Sequence, residues 1–514
     1  MKEQRLSKKI IKNILYTGLG QICSILLLIL ITPYMVSKLG IERYGIWVLI
    51  GAIINYLGLI DLGIGTAYVK HIAEYYIKKD YKEINRIVNT GILFYLILGV
   101  LILILLLKFD FIITNFFKFS REHKSDFLFV FYGVLIIFVL SSIFTIFRAV
   151  LNGLQRMDIT NLISVAISVP RFAGIIIILS LGYGLRGLVI ISLVIAILTG
   201  ITQIYFCFRI LPELRLNPLF FNYRSFKRLF NYGIKLQAVK LCELINLYAD
   251  KILLGHFLGI GVVGFYELGA KIAMIPKLLG SILLPAITPA SSELYALNNK
   301  KVLNELYVRG TRFLVLLVAP LATFVFVNAS DIMAMWVGDH GYERSITAVH
   351  ILIIGYSVHL LTGVLASIAK GMGIPQYEMR FSILVSIINI VLSTVLIIKI
   401  GCVGALIGTS LSMILGSIYF MSIIHKVIEQ KTDFIMNTFL IPIITAIISS
   451  MPVYLLNNIS YRFFIPAGRI DYLLIILVNG LLFFGFYLLI IKKIYITRED
   501  TLVFHDVMKI LKLS

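Results

Sequence analysis

The chain has 514 residues, 59% hydrophobic and 14% charged, with 47 Lys and Arg against 26 Asp and Glu, a net charge of +21 and a mean hydropathy of +0.96. A soluble domain of that balance would expose far too much apolar surface, and an outer-membrane barrel would alternate polar and apolar residues where this chain runs apolar without interruption, as at 22–32, 95–107 and 473–491. In a soluble protein the basic surplus would point to nucleic acid; here it lies mostly in short loops, as the positive-inside rule expects, and no nucleic-acid partner is indicated.

Hydropathy predicts an all-α polytopic membrane protein of about fourteen transmembrane helices. The basic stretch 1–12 leads into an apolar run at 14–36, too long for a signal-peptide core and read as the first span. The remaining spans are predicted at 44–67, 87–107, 127–147, 161–182, 187–208, 233–257, 262–290, 313–336, 346–369, 381–399, 402–424, 437–457 and 472–491. Lys and Arg concentrate in the loops on the side of the N-terminus, which predicts cytoplasmic N- and C-termini. The longest loops, 108–126 and 209–232, are about twenty residues each, too short for a core of their own. Cys23, Cys207, Cys242 and Cys402 are scattered without a CxxC pair and read as apolar fillers, so neither a disulfide nor a metal site is expected.

An internal repeat is legible at three hairpins. Leu39-Gly40-Ile41-x3-Gly45-x-Trp47 returns as Leu258-Gly259-Ile260-x3-Gly264-x-Tyr266, Asn152-Gly153 as Lys370-Gly371, and Gly184-Leu185-Arg186-Gly187 as Gly401-Cys402-Val403-Gly404, at offsets of 217–219 positions. An even number of spans separates the copies, so they keep one orientation and form a parallel repeat. The expected organisation is an N-terminal six-helix lobe at 1–208, a cytoplasmic inter-lobe loop at 209–232, a second six-helix lobe at 233–425, and two additional helices with a cytoplasmic tail at 426–514. Two such lobes around a cavity are the architecture of an alternating-access transporter.

Ionised side chains at membrane depth are the candidate site, because each costs roughly 2.5–3.5 kcal/mol on insertion scales and therefore faces a cavity or a partner. At 100° per residue, Lys240, Glu243, Asp250 and Lys251 share a sector about 100° wide on span seven. Glu267 and Lys271 stand i,i+4 on span eight in the favourable order. Lys240–Glu243 and Glu267–Lys271 read equally as self-neutralising pairs that hold helices together. Lys277 and, after Pro170, Arg171 have no acid at helical spacing, so a basic surplus remains and an anionic substrate is expected. Asp61, near the end of span two, reads as a cap or a gate. Pro276, Pro285 and Pro289 are expected to break span eight and Pro170 to interrupt span five. His359 in span ten reads as packed in the bundle. There is no Gly-rich phosphate loop and no ligand spacing among the eight His, so a transporter rather than an enzyme is expected, with no cofactor.

Leu39-Gly40-x3-Gly45-x-Trp47 followed by Asp61-Leu62-Gly63-x-Gly65-x-Ala67 resembles the opening of Wzx-type polysaccharide-precursor flippases, the O-antigen and capsule exporters of the polysaccharide transporter branch of the MOP superfamily. Asp250-Lys251-x3-Gly255 through Gly264-x-Tyr266 resembles that family's seventh and eighth helices, and the resemblance runs over nearly the whole chain. It implies movement of an undecaprenyl-pyrophosphate-linked glycan to the outer leaflet of the bacterial cytoplasmic membrane, alongside a polysaccharide polymerase and chain-length machinery. Arg171, Lys240, Lys251, Lys271 and Lys277 are then expected to face the cavity and hold the pyrophosphate or acidic sugars, with Asp61, Glu243, Asp250 and Glu267 as cavity acids or gate. Coupling to a proton gradient, a sodium gradient or the membrane potential stays open. A lipid II flippase remains an alternative, since it too carries a pyrophosphate lipid. A MATE-like drug or cation antiporter would call for unpaired carboxylates, and a membrane glycan polymerase for a catalytic loop that 108–126 does not resemble.

Overall fold

A computed structural model describes residues 29–61, 64–107, 115–117, 121–217, 223–338, 342–428, 436–463, 466 and 468–495, and no strand occurs among them. The helices of the first half are α1 (Ile29–Leu39), α2 (Ile41–Leu57), α3 (Ile64–Ile77), α4 (Tyr81–Leu107), α5 (Lys124–Gly153), α6 (Met157–Ser180) and α7 (Gly184–Ile210). Those of the second half are α8 (Tyr223–Phe257), α9 (Ile260–Ala273), α10 (Ile275–Ser281), α11 (Ile287–Ala296), α12 (Lys300–Val327), α13 (Ala329–Trp336), α14 (Glu343–Leu361), α15 (Gly363–Gly371), α16 (Gln376–Ile400) and α17 (Cys402–Val427). Two more, α18 (Ile441–Phe463) and α19 (Arg469–Ile494), follow.

Among the described residues, 10 helical segments are long and apolar enough to cross a membrane. They correspond to predicted spans three to six and nine to fourteen. Most of predicted span one lies outside the described residues. Span two is interrupted by a 3-10 turn at Gly58–Asp61 and resumes as α3. Span seven is a single helix of 35 residues whose charges lower its hydropathy. Span eight is broken as expected, and each proline sits where its missing N–H costs least: Pro276 opens α10, Pro285 lies in the 3-10 turn Leu284–Ala286, and Pro289 lies in the first turn of α11. Pro170 corrects the expectation for span five, since α6 runs through it unbroken. One lost N–H is tolerated inside an otherwise intact ladder. Span nine breaks instead at Asn328, between α12 and α13.

The repeat extends to the backbone at turns where the residues differ. Lys79 and Asn298 both take left-handed φ, 56° and 54°. The following residues cap the next helix in the same way: Asp80 Oδ1 accepts from Glu83 N at 3.1 Å, and Asn299 Oδ1 from Val302 N at 3.2 Å. Gln155 and Gly373 repeat one left-handed turn, with N–H groups bonded to Asn152 and Lys370 respectively. A Cβ on Gly153 would meet the Val69 carbonyl and Ile72 of α3, and one on Gly371 would meet the Thr288 carbonyl and Ser291 of α11. The same crossing is thus built twice, 218–219 positions apart.

Contacts divide the chain into two compact units, Met1–Glu267 with Ile390–Ala405, and Leu268–Asn389 with Leu406–Ser514. In the first, α3 to α7 pack around Tyr68, Ile72, Val88, Phe147 and Val150, and α8 lies on α2, α3 and α4. In the second, α12 packs against α10, α11, α14 and α18, and α19 lies against α13 and α18.

The two copies of the first hairpin meet within the first unit. Gly40 and Gly259 turn with φ of 78° and 98°, a region that favours glycine. Beyond each turn the partner is the other copy: a Cβ on Gly45 would collide with the Ile260 carbonyl, and one on Gly264 would come within 2.7 Å of the Ile41 carbonyl. Ile41 and Ile260 are equivalent in the repeat, as are Gly45 and Gly264, so the contact is reciprocal about a local pseudo-twofold axis.

Candidate functional site

The turn at Leu258–Gly259 folds α9 back along α8 and brings the end of the span-seven charges against span eight. Tyr266 donates its hydroxyl to Asp250 Oδ2 at 2.7 Å, and Lys251 Nζ lies 2.7 Å from Glu267 Oε2. The Lys251 ammonium also stands 4.7 Å from the centre of the Tyr248 ring. Asp250 and Lys251 are buried, and Tyr56 of α2 closes the cluster with its hydroxyl on the Leu244 carbonyl and its ring edge-on to Tyr248.

The charged stripe therefore divides. Asp250 and Lys251 turn inward, whereas Lys240 and Glu243 are exposed and make no ion pair among the described residues. The Lys240–Glu243 pair, the alternative that spacing allowed, is not formed. For Glu267 the partner is Lys251 across the hairpin, rather than only the i,i+4 neighbour considered from spacing.

The other candidates lie apart from this cluster. Arg171 is exposed on α6, one residue after Pro170, and makes no ion pair among the described residues. Lys271 is half-buried in the last turn of α9, where the helix dipole favours a cation. In the second unit Lys277 of α10 stands 5.5 Å from the centre of the buried Tyr356 ring on α14. His359, one turn further along α14, packs beside Phe381 with ring centres 5.6 Å apart, consistent with its reading as a packing residue. The Asp61 backbone closes the 3-10 turn at Gly58–Asp61, and its side chain lies outside the described residues. Cys207, Cys242 and Cys402 are in no disulfide, Cys23 lies outside the described residues, and Cys207 is wholly buried with its thiol on the Phe147 carbonyl.

A polar network in the second unit escaped the sequence reading. Asn479 of α19 donates to Asn328 at 2.7 Å and to Asn457 of α18 at 3.0 Å, and Tyr461 donates to the buried carboxylate of Asp331 on α13. It fastens the last two helices to the break in span nine. Asp331 was visible as the lone acid of that predicted span, but its partner is 130 residues away.

The model of the family described as "Polysaccharide biosynthesis protein" matches residues 10–295, and that described as MatE matches 239–395. A Shigella flexneri protein named as an O-antigen transporter is 23% identical over 420 residues, 80% of this chain and 96% of its own. A Haloferax volcanii protein named as the flippase AglR is 22% identical over 492 residues, 92% of this chain and 94% of its own. The inward closed conformation of the lipid II flippase MurJ matches with a TM-score of 0.75 at 16% identity, over 93% of this chain and 99% of that one. An inward-facing MATE family multidrug transporter of the MOP superfamily gives 0.69 at 16% identity, over 78% and 93%. At such identities the structural matches establish the fold. With more than half of its length matched and 10 helical segments able to cross a membrane among the described residues, the chain is a multi-pass member of the polysaccharide biosynthesis protein family, with the fold that MOP superfamily transporters share.

Proposed function

We propose that the protein flips an undecaprenyl-pyrophosphate-linked oligosaccharide from the inner to the outer leaflet of the cytoplasmic membrane by alternating access, supplying an O-antigen, capsule or other surface polysaccharide. The observation that carries this reading is Arg171, a guanidinium at mid-span that stays exposed and unpaired among the described residues. A permanent cation held there is costly unless it meets an anion during the working cycle, and a pyrophosphate crossing a low-dielectric region needs such groups. Lys277, held over Tyr356, and Lys240 and Lys271 are proposed to share that task. Lys251 is proposed to act with Asp250 and Glu267 as a strut that orients α8 and α9. Asp61 and Glu243 are proposed as gate and cavity acids. The names of the Shigella and Haloferax relatives support a glycan-lipid cargo.

The lobes are proposed at 1–208 and 233–425, joined by 209–232 and followed by two helices from 426, with both termini in the cytoplasm. A polysaccharide polymerase and chain-length machinery are the proposed downstream partners, and the membrane potential, a proton gradient or a sodium gradient the proposed drive. A lipid II cargo offers the same pyrophosphate, and the MurJ match bears on fold rather than cargo.

The test is transport of an undecaprenyl-pyrophosphate-linked oligosaccharide by the purified protein in proteoliposomes, with Arg171→Ala and Lys277→Ala beside the parent. Both variants are expected to fold and to lose at least about tenfold in rate, the equivalent of one charge-assisted contact. Normal transport by both would make these cations structural and remove the charge argument.

A further inference from the structure

We propose that an asparagine strap keeps the chain leaving the first half's sixth helix docked on its third helix, so that residues 211–217 stay with α4 through the transport cycle. The functional part rests on the alternating-access reading above. Asn85 and Asn89 lie one turn apart near the start of α4 and are 9% and 4% exposed. Each spends both ends of its carboxamide on the chain that follows α7. Asn85 Nδ2 donates to the Glu213 carbonyl at 2.9 Å, and its Oδ1 accepts from Arg215 N at 2.8 Å. Asn89 Nδ2 donates to the Arg215 carbonyl at 2.7 Å, and its Oδ1 accepts from Asn217 N at 2.8 Å.

Glu213, Arg215 and Asn217 are alternate residues, so two side chains pair with the segment as the backbone of a neighbouring strand would. The spacing needs asparagines four apart on a helix, which places their amides on one face about 6 Å apart along the axis, close to the two-residue repeat of extended chain at about 6.6 Å. Asn89 is itself steadied by donating to the Asn85 carbonyl at 2.8 Å. Leu211, ahead of the first rung, and Leu214, within it, are buried in the core that holds Ile84, Ile87 and Val88, while Glu213 and Arg215 are exposed. The strap is thus fastened by backbone groups that would otherwise lack partners and by two apolar plugs.

The second half keeps only the donor bond of the first rung, made to the residue directly after its sixth helix rather than three residues beyond it. Asn304 stands on α12 as Asn85 does on α4, 219 positions later, and its Nδ2 donates to the Ile428 carbonyl, just past α17, at 3.4 Å. The equivalent of Asn89 is Val308, so the second rung exists only where the chain continues into the next half. A single rung holds a chain end in place; two rungs hold seven residues of chain, 211–217, that would otherwise be slack between the halves. Residues 211–217 then keep their place on α4 during transport.

Hydrogen–deuterium exchange of the full-length protein in nanodiscs, read at single amides by electron-transfer fragmentation, tests the strap without any substrate. The Arg215 and Asn217 amides are expected to be protected in the parent. Asn85→Ala should speed exchange at Arg215, and Asn89→Ala at Asn217, by about tenfold for each bond removed. Exchange at free-peptide rates in the parent, or protection that survives both substitutions, would overturn the strap. Asn89→Cys with Asn217→Cys, joined by a short bifunctional thiol reagent, then tests whether it stays docked. Cross-linked protein should flip an undecaprenyl-pyrophosphate-linked oligosaccharide at the rate of its unlinked form, and loss of flipping on cross-linking would show that the strap must detach. A parent that flips nothing would count against the proposed cargo and leave the exchange result standing.

Discussion

Lys251 shows how a buried charge is made tolerable. Its side chain is 11% exposed and that of Glu267 14%, so the pair gains from a weakly screened attraction but loses most of its hydration. The Tyr248 ring supplies a further face for the ammonium, and Tyr266 occupies the neighbouring Asp250. Removing one member strands the other: Lys251→Ala or Glu267→Ala is expected to cost roughly 3–5 kcal/mol. The double variant should cost clearly less than the sum. Chemical unfolding in detergent micelles measures all three, and strictly additive costs would mean the pair is not coupled. Arg171 poses the opposite problem, because its cost is carried without a partner among the described residues, which is why its substitution is the test of the proposed cargo.

At the level of helices, the reciprocal approach of α2 and α9 is set by two glycines. Any Cβ at Gly45 or Gly264 meets a backbone carbonyl, which cannot rotate away as a side chain can. Gly264→Ala and Gly45→Ala are each expected to destabilise this packing by roughly 1–3 kcal/mol, the range for overpacking. Thermal unfolding in the same detergent reads the loss, and an unchanged midpoint for both would show that the hairpins do not stay in contact. The broken eighth span follows a related logic. Its three prolines sit at helix starts, so the path bends without leaving interior carbonyls unpaired, whereas Pro170 inside α6 leaves one and the helix carries on.

For the whole molecule, the proposed cargo sets a direction. With the inside negative, each negative charge carried outward gains roughly 2.3 kcal/mol per 100 mV. An imposed inside-negative potential in proteoliposomes should therefore speed outward flipping of the pyrophosphate lipid, and an inside-positive one should slow it. A rate indifferent to potential in the absence of ion gradients would mean that cargo charge is compensated during the step. The two-fold plan of the chain suits such a cycle, because the same turns, caps and helix crossings recur 218–219 positions apart and give each half the same set of rigid joints.

Composition, hydropathy and three glycine-bearing hairpins carry the fold class, most of the spans and the repeat, because burial in a bilayer constrains every residue of a span and a left-handed turn selects glycine. They also carry the charged face of span seven. The repeat at Lys79 and Asn298, or at Gln155 and Gly373, is invisible in the letters, since different residues adopt one backbone shape. Tertiary structure alone decided that Lys251 pairs with Glu267, that Asp331 meets Tyr461, and that Asn85 and Asn89 grip the chain 126–130 residues away. Helical periodicity reports which side of a helix a residue occupies, but the partner on that side is chosen by how distant helices pack, and that choice leaves no mark at i+3 or i+4.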